Sequence, residues 1–594
     1  MAAAAAEYLN NDALDSRLQA LARENSELFH VQPLGTNGSA AEVLLLEIGP
    51  QAKTRKLKIG DSGDSGELTV AFPAMLAVAG LEGNDLAGSA VLVFWAEQLA
   101  RDWLTNATIK KLLDSTTIYL LPRLNREGAA AYFSQPRRES GSNLAPVDDD
   151  HDGMLDEDGP EDLDGDGQIT WMRVEDPEGE YLLDPVDPRL MLKADRSRGE
   201  VGNWKLLPEG ADNDQDEAWN EDGPGGVNLN RNFPYQFRFF ATNAGVHPMS
   251  ETLTRALADF VVARPEIGLV FSFGAADNLS QTPKGEAPKR PPTALHEEDV
   301  PFYRELGKAW RDAMGLGKEL TVAAEPGTFS DWMYYHRGRV SLATRPWSPA
   351  MQLELAKPKG KPGEKPGSTE SKPGQTSQAA QAEGGTTPGK DAKTPSEKGE
   401  GKRGPSEKDD KRNEEERAFL KWLDTNSPGS FVSWKSYQHP DFPGKRVEIG
   451  GLAPFSTSNP PGQLLESIAS RHAAFLSQLP GKLPRIEVRG TKVKDLGNGV
   501  FDVTVKVVNS GYLPTVSAQG NLTREYLPTQ LILDIDKKDL LSGEVRTRLD
   551  TIPGSGGVKE TRHVVYARGR SEIQAHVISS LAGWASTKIQ LKGE

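Results

Sequence analysis

Short apolar runs alternate with amphipathic helical segments in residues 7–110, and the same alternation resumes after residue 250. Runs such as AEVLLLEIG, AMLAVAG and TTIYLLPRLN predict strands, whereas LDSRLQALARENSELF and AGSAVLVFWAEQLARDWL predict helices. Strands separated by helices usually pair in parallel, because the helix carries the chain back across the sheet. The alternation therefore predicts an α/β fold, with a mostly parallel or mixed sheet and helices on both faces.

Changes in composition divide the chain into four parts. Residues 7–356 are the predicted α/β domain, which an acidic insertion interrupts at about 141–225. Residues 357–413 contain no Ile, Leu, Val, Met or aromatic residue, so they cannot bury enough apolar surface to offset ordering entropy, and we predict a disordered insertion. Helical patterns return in residues 414–482. Short alternating strands in residues 483–594 predict an antiparallel β-sandwich.

The formal net charge of the chain is −16, and the chain contains no cysteine. We expect no nucleic-acid partner, because phosphates select clustered Lys and Arg. The lack of cysteine excludes disulfides and thiolate metal ligands. We also expect no membrane span, since no run of about 18 apolar residues occurs. The start of the chain shows no signal-peptide pattern, but an extracytoplasmic location, periplasmic or secreted, is favoured by the calcium-type loops described next.

An acidic segment dominates the insertion, with eleven Asp or Glu side chains and no Lys or Arg in residues 148–166. Its spacing twice follows the D-x-D-x-D-G start of an EF-hand calcium loop, in which alternate side chains turn toward a hard cation. A third copy, DNDQDEAWNEDGP, has Glu217 in place of that Gly, and its tail WNEDGP repeats the tail LDEDGP of the first copy. No copy has the Glu of the twelfth loop position, so we predict EF-hand-like loops that bind structural calcium, with a solvated acidic loop as the alternative. The candidate ligands are Asp148, Asp150, Asp152, Asp156, Asp162, Asp164, Asp166, Asp212, Asp214 and Asp216.

Five motifs follow one another in the α/β region: AGLEGNDLAG, LPRLNREG, GGVNLNRNFPYQF, GTFSDW and ATRPW. Together they closely resemble the zinc carboxypeptidases of the carboxypeptidase A type. The acidic insertion and the C-terminal sandwich are similar to those of a divergent bacterial branch of that family. The resemblance covers most of residues 7–356 and extends over residues 414–480, which implies that residues 414–482 are a closing segment of the α/β domain. It implies the carboxypeptidase fold and, for active relatives, peptide hydrolysis at a zinc ion.

The resemblance also implies where the catalytic groups belong. In active members, zinc is held by the His and Glu of an H-x-x-E turn and by a second His at the end of a later strand. A Glu on a further strand acts as general base on the metal-bound water. At these four positions this chain has, in order, Glu82, Asp85, Phe271 and Arg345. All four positions therefore differ from the family pattern.

A shift of the alignment does not supply the two missing His ligands, because no histidine lies between positions 30 and 151 or between positions 247 and 296. Two carboxylates without imidazole bind zinc far more weakly than a three-ligand site, and Arg cannot accept a proton at usable pH. We therefore expect that zinc is not bound and that no catalytic residue is intact. Our hypothesis is that the guanidinium of Arg345 replaces the metal by pairing with Glu82, Asp85 or both.

The residues that the resemblance assigns to substrate binding are retained in this chain. Asn230 and Arg231 match the Asn-Arg pair with which the family binds the free C-terminal carboxylate of a peptide, and a guanidinium suits that planar anion. Arg137 or Arg138 lies near the position of the family's carbonyl-polarising Arg. Three functions follow: an inactive pseudopeptidase that binds peptide or protein C-termini, an active metallocarboxypeptidase with an altered metal site, or a calcium-stabilised surface or adhesion module. We favour the first.

Overall fold

The computed structural model describes residues 6–35, 42–50, 54–59, 66–147, 153–156, 158–214, 219–220, 223, 225–323, 325–357 and 412–591. The predicted disordered insertion, apart from its first and last residues, lies outside these ranges. So do four of the predicted calcium ligands: Asp148, Asp150, Asp152 and Asp216.

The α-helices of the described ranges are α1 (Asn11–Glu24), α2 (Leu86–Thr105), α3 (Ala107–Leu113), α4 (Arg126–Ala130), α5 (Thr252–Val262), α6 (Val300–Met314), α7 (Phe329–Tyr335), α8 (Pro349–Ala356), α9 (Glu414–Asn426), α10 (Gly462–Leu476) and α11 (Ala518–Thr523). The strands up to the closing segment are β1 (Phe29–Gly35), β2 (Val43–Ile48), β3 (Thr54–Ile59), β4 (Gly66–Ala71), β5 (Ala74–Val78), β6 (Thr117–Leu121), β7 (Trp171–Glu175), β8 (Tyr181–Leu183), β9 (Met191–Lys193), β10 (Trp204–Pro208), β11 (Ile267–Phe273), β12 (Gly285–Glu286), β13 (Leu295–His296), β14 (Val340–Thr344), β15 (Phe431–Tyr437) and β16 (Val447–Leu452). The C-terminal strands are β17 (Ile486–Gly497), β18 (Val500–Asn509), β19 (Thr529–Asp534), β20 (Leu540–Ser542), β21 (Arg546–Leu549), β22 (Gly557–Tyr566), β23 (Glu572–Ser579) and β24 (Gly583–Gln590).

The central sheet has six strands in the order β1-β2-β6-β5-β11-β14. The pairs β6–β5, β5–β11 and β11–β14 are parallel, and β2 pairs antiparallel with both β1 and β6. Every residue of β5, β6, β11 and β14 is buried, as expected for strands that are covered on both faces. Because parallel strands end at one edge of the sheet, the loops that follow β5, β11 and β14 meet there.

Apolar clusters cover both faces of this sheet. One face packs against α1, α2, α6 and α10, with Trp95, Trp310 and Phe475 fully buried. The other face packs against α5 and α7, with Leu257 and Phe329 buried. The predicted α/β class, with a mixed sheet and helices on both faces, is confirmed. No described helix is both long and apolar enough to cross a membrane.

A second six-stranded sheet, in the order β15-β16-β7-β10-β8-β9, was not predicted. It joins strands of the acidic insertion to strands of the closing segment, because β16 pairs antiparallel with β7. Met172, Val174, Val447 and Ile449 form its core. The apolar runs are short and lie far apart in the chain, so their periodicity alone did not distinguish them from loops. This sheet holds the acidic segment beside the α/β domain.

Residues 486–590 form the predicted β-rich region, with two four-stranded antiparallel sheets. The alternation in VFDVTVKVV is confirmed, since Phe501, Val503, Val505 and Val507 all face the core that the two sheets share. The region contacts the α/β domain through α11. There Asp299, which is 1% exposed, accepts hydrogen bonds from the backbone N–H groups of Ala518 and Gln519, at 2.8 and 3.0 Å.

Candidate functional site

The candidate site lies where the loops after β5, β11 and β14 meet. Glu82 and Asp85 are in the turn between β5 and α2, Ala275 lies just beyond β11, and Arg345 directly follows β14. Asn230 and Arg231 belong to a short 3-10 turn at Leu229–Arg231 that packs against the same edge. The structure thus brings together most of the residues that the family resemblance assigned to catalysis and substrate binding.

Glu82 is held by hydrogen bonds from two protein groups. Its Oε1 accepts from Asn230 Nδ2 at 2.9 Å and from the backbone N–H of Ala275 at 2.8 Å. Asn230 is itself only 4% exposed, and its Oδ1 accepts from the backbone N–H of Phe329 at 3.1 Å. The carboxylate at the position of the first zinc-binding His is therefore tied to the β11 loop, to the Asn-Arg turn and, through Asn230, to α7.

Asp85 caps the first turn of α2, where its Oδ1 accepts from the backbone N–H of Gly88 at 2.9 Å. The residue is 7% exposed, and no described group donates a hydrogen bond to its Oδ2. Loss of hydration is the main cause that raises the pKa of Asp85 to about 7. The negative charge of Glu82 raises this pKa further, whereas the hydrogen bond from Gly88 and the charge of Arg345 lower it. Asp85 therefore holds its proton to a higher pH than an ordinary aspartate does.

Arg345 does not form the ion pair that we predicted. Among the described residues, neither Glu82 nor Asp85 accepts a hydrogen bond from its guanidinium, which acts on Asp85 only through space. Glu82 Oε1 instead accepts from Asn230 and the Ala275 amide, and Asp85 Oδ1 accepts from the α2 backbone. The hypothesis that Arg345 directly replaces the metal is therefore corrected.

Aromatic rings occupy the other side of the site. Phe271 is fully buried, with its ring centroid 4.8 Å from that of Phe273 and 6.4 Å from that of Phe475. Phe273, two residues further along β11, lies against the start of α2: a Cβ at Gly88 would come within 2.8 Å of Phe273 Cβ and 2.6 Å of Asp85 Oδ2. Where the family pattern has imidazole, this edge is therefore apolar.

A histidine that the sequence analysis did not assign to the site approaches it from α10. The ring centroid of His472 lies 5.0 Å from that of Phe273, and its Nε2 is 2.9 Å from the backbone oxygen of Pro346. Burial lowers the pKa of His472 to about 4, so the ring is neutral at physiological pH. The helical spacing of Leu465, Ala469 and His472 indicates that the residue faces the core. Sequence spacing does not reveal which loop it meets.

The guanidinium of Arg231 is paired within the chain. Its Nη2 lies 3.0 Å from Glu325 Oε2, and its Nη1 lies 3.5 Å from the backbone oxygen of Thr242. The side chain of Arg231 is 38% exposed, and that of Glu325 is 27% exposed. An internal carboxylate thus takes the place that the resemblance gives to the terminal carboxylate of a peptide.

Arg137 and Arg138, the two candidates for the family's carbonyl-polarising Arg, line different cavities. Arg138 lines a cleft of about 650 Å³ together with Glu139, Trp171 and residues of the acidic insertion, and burial lowers its pKa. Arg137 lies over the ring of Tyr132 in a smaller cavity.

The acidic insertion contains one compact group of carboxylates. Asp162, Asp164 and Asp166 each offer an oxygen within 4.8 Å of the others, and within the described ranges no other three His, Asp or Glu side chains converge in this way. Buried Glu209 holds the loop by accepting from the backbone N–H groups of Leu163 and Thr170, at 2.9 and 2.8 Å.

The repeat between the first and third acidic copies is visible in the backbone. Asp156 and Asn220, which occupy equivalent places in the two copies, both have positive φ, of 56° and 59°. Asp158 of the first copy is fully buried and accepts from the backbone N–H of Asn213 and of Asn220 in the third, at 3.1 and 2.6 Å. The two copies therefore pack against each other.

Comparison with known proteins supports this architecture. The sequence model of zinc carboxypeptidases matches residues 14–154 and 201–358, just over half of the chain. Residues 485–590 match the model of a domain of unknown function. No curated protein matches the chain.

Solved structures similar to this chain are carboxypeptidases and their relatives. Thrombin-activatable fibrinolysis inhibitor is 13% identical over 57% of this chain and 66% of its own, with a TM-score of 0.35. Carboxypeptidase A from Helicoverpa armigera is 13% identical over 57% of this chain and 63% of its own, with a TM-score of 0.34. A metallo-carboxypeptidase from Burkholderia cenocepacia is 12% identical over 56% and 59%, with a TM-score of 0.28. The chain spans less than two thirds of the length of each, and by its match to the family model it belongs to the zinc carboxypeptidase family.

Proposed function

We propose that this chain is an inactive member of the zinc carboxypeptidase family, in which the former metal centre has become a hydrogen-bonded part of the protein interior. The observation that carries the proposal is the pair of hydrogen bonds from Asn230 Nδ2 and the Ala275 amide to Glu82 Oε1. Both donors stabilise Glu82 in place without any metal, and one of them belongs to the turn that the family uses for substrate.

The remaining groups do not fit a zinc ion. A catalytic zinc site has three protein ligands and an open position for water. Here Glu82 and Asp85 offer only oxygen atoms, burial raises the pKa of Asp85 to about 7 and so disfavours its ionised form, and the later strand supplies only phenylalanine rings. Arg345 has no lone pair with which to act as a general base. The site therefore lacks both the ligand set and the base of the family reaction.

Metal analysis combined with a hydrolysis assay tests this proposal. After dialysis of the purified protein against buffer that contains zinc and then against buffer without it, we expect far less than one zinc per chain. We also expect no release of the C-terminal residue from peptides with a free C-terminus. Stoichiometric zinc together with hydrolysis that a chelator abolishes would favour the alternative, an active carboxypeptidase with an altered metal site.

We propose further that the Asn230–Arg231 turn retains carboxylate recognition and that Glu325 competes with peptide C-termini for it. The support is the ion pair between Arg231 and Glu325, whose side chains are 38% and 27% exposed, so that the pair contributes only about 0–1 kcal/mol to stability. The carboxylate of a peptide can therefore displace Glu325 from Arg231 with little loss of stability. The natural ligand in this proposal is a peptide or protein C-terminus.

Two substitutions test the competition. Glu325→Gln removes the internal carboxylate, so we expect it to raise the affinity for a tetrapeptide with a free C-terminus about three- to fivefold. Arg231→Gln is expected to abolish this binding, and the same tetrapeptide with an amidated C-terminus serves as the control ligand. Equal affinity for the acid and the amide in isothermal titration calorimetry would contradict the proposal.

A second candidate role, as a calcium-stabilised surface or adhesion module, is favoured by the carboxylate group Asp162, Asp164 and Asp166. We propose that this loop binds a structural calcium ion, since hard cations prefer clustered carboxylate oxygens. In the structure Lys435 Nζ lies 3.2 Å from Asp164 Oδ2 and partly offsets the charge of the group. Calcium binding alone is compatible with an inactive peptidase domain.

Thermal unfolding tests the calcium proposal. Calcium at about one hundred times its dissociation constant should stabilise the folded state by about 2.7 kcal/mol and raise Tm by about 3–6 °C. Asp164→Asn is expected to remove most of this shift, whereas Asp114→Asn, at an exposed site outside the insertion, should leave it unchanged. A shift of the same size in the Asp164 variant would show that the loop is not the site, and one of the same size with magnesium would show that the site does not select calcium.

A further inference from the structure

Arg137 carries a guanidinium that stacks on aromatic rings and has no carboxylate partner among the described residues. Its Cζ lies 4.5 Å from the ring centroid of Tyr132 and 5.7 Å from that of Phe455. Its Nε is buried and has no hydrogen-bond acceptor in the described part of the chain. A buried donor without a partner costs about 1–3 kcal/mol. In a chain with a net charge of −16 and many available carboxylates, this arrangement is unexpected.

The guanidinium forms part of the wall of a cavity of about 220 Å³. Tyr8, Tyr132 and Phe455 supply aromatic surface to this cavity, and Gln168 and Ser430 supply polar groups. The Tyr132 ring lies 5.3 Å from that of Tyr8 and 5.0 Å from that of Phe455. The cavity is therefore a small space with aromatic walls and a single cation.

The backbone at Phe455 is strained where it borders this cavity. Phe455 has a φ of 68°, in the left-handed region that bulky residues rarely adopt. Its backbone N–H donates to Glu139 Oε2 at 2.6 Å, which fixes this conformation. Such strain concentrates at binding sites, because the surrounding structure must hold it in place. Here it positions the Phe455 ring beside the Arg137 guanidinium.

From the stacked guanidinium, its orphaned Nε and the aromatic cavity, we propose that the cavity is a binding site for a small organic anion that carries a carboxylate. A guanidinium whose face is covered by a ring keeps its edge free, and that edge matches the two oxygens of a carboxylate. The aromatic walls suit an apolar or aromatic group attached to the acid. The volume excludes ligands of the usual drug size. The site is separate from the Arg231–Glu325 pair and does not depend on the loss of peptidase activity.

The carboxylate could come from a free small acid or from a peptide end, and calorimetry with the full chain distinguishes these sources. The first probe is N-benzoylglycine, titrated into Arg231→Gln protein so that the Arg231 turn does not contribute, and its neutral amide is the matched control ligand. The second probe is a benzoylated tetrapeptide with a free C-terminus, titrated into Arg231→Gln protein so that binding reports only the Arg137 cavity. Arg137→Met removes the cation, Arg137→Lys keeps the charge without the planar fork, and Arg23→Met is the control for a distant exposed arginine.

We expect N-benzoylglycine to bind and its amide not to bind. Arg137→Met should weaken binding of the acid at least about tenfold, with Arg137→Lys between the two and Arg23→Met unchanged. Binding of the tetrapeptide as well would identify a peptide end as a source, and its failure would restrict the site to small acids. The proposal is overturned if adding Arg137→Met to the Arg231→Gln protein leaves its affinity for the acid unchanged. It is also overturned if neither probe binds at about 10 mM while the protein remains folded.

Discussion

Replacing Asp85 with Asn is expected to stabilise the folded protein at pH 8 by up to about 4 kcal/mol and to leave its stability near pH 4 almost unchanged. Burial raises the pKa of Asp85 from 3.8 to about 7. Between these values the folded state keeps the proton that the unfolded state has released. The free energy of unfolding therefore falls as the pH rises through this window, and the full penalty is present above pH 7. Asn removes the titration and keeps an Oδ1 that can accept from Gly88.

Urea denaturation of both proteins at several pH values between 4 and 8 measures this effect. The difference between the two stability curves isolates Asp85, because Asp331, His472 and other titrating groups are common to both proteins. Gln19→Asn, an exposed and uncharged substitution in α1, is the control: neither side chain titrates, so its effect on stability should be the same at every pH. A flat curve for Asp85→Asn would mean that the carboxylate is ionised in the fold. In that case the argument that Asp85 is an unsuitable zinc ligand would fail.

The second large effect is expected at the junction with the C-terminal region. Asp299→Ala should lower the free energy of unfolding by about 3 kcal/mol or more, because it leaves three buried donors without an acceptor. These donors are the backbone N–H groups of Ala518 and Gln519 and the hydroxyl of Tyr334, which lies 2.8 Å from Asp299 Oδ2. The first two belong to the N-terminus of α11, where a negative charge is also favoured by the helix dipole.

Chemical denaturation and limited proteolysis check the Asp299 prediction together. Destabilisation should be accompanied by faster cleavage near α11, since that helix loses its attachment to the α/β domain. Asp312→Ala, on the exposed face of the same helix α6, removes only a surface ion pair with Lys308 and should cost less than about 1 kcal/mol. An equally small cost for Asp299→Ala would show that α11 does not depend on this carboxylate.

The elements with strong periodicity were predictable from the sequence, and the elements built from short runs were not. β5, β6, β11 and β14 read as strands because each is a continuous apolar run between turns. β7 and β16 did not, since their pairing depends on contacts between the acidic insertion and the closing segment. The carboxylate group Asp162, Asp164 and Asp166 followed from local spacing. Buried Glu209, which holds that loop, comes from a distant strand end and had no local signal.

The sequence by itself determined which side chains stand at the four positions that the family resemblance assigns to the metal centre and its base: Glu82, Asp85, Phe271 and Arg345. Only the tertiary structure decided how the remaining groups are satisfied. Arg345 was predicted to pair with the two acids, yet Glu82 accepts hydrogen bonds from Asn230 and the Ala275 amide. Asp85 accepts a hydrogen bond from the first turn of α2, and burial raises its pKa. The physical reason is that composition sets which hydrogen bonds and charges are available, whereas burial and the directions of neighbouring donors select among them.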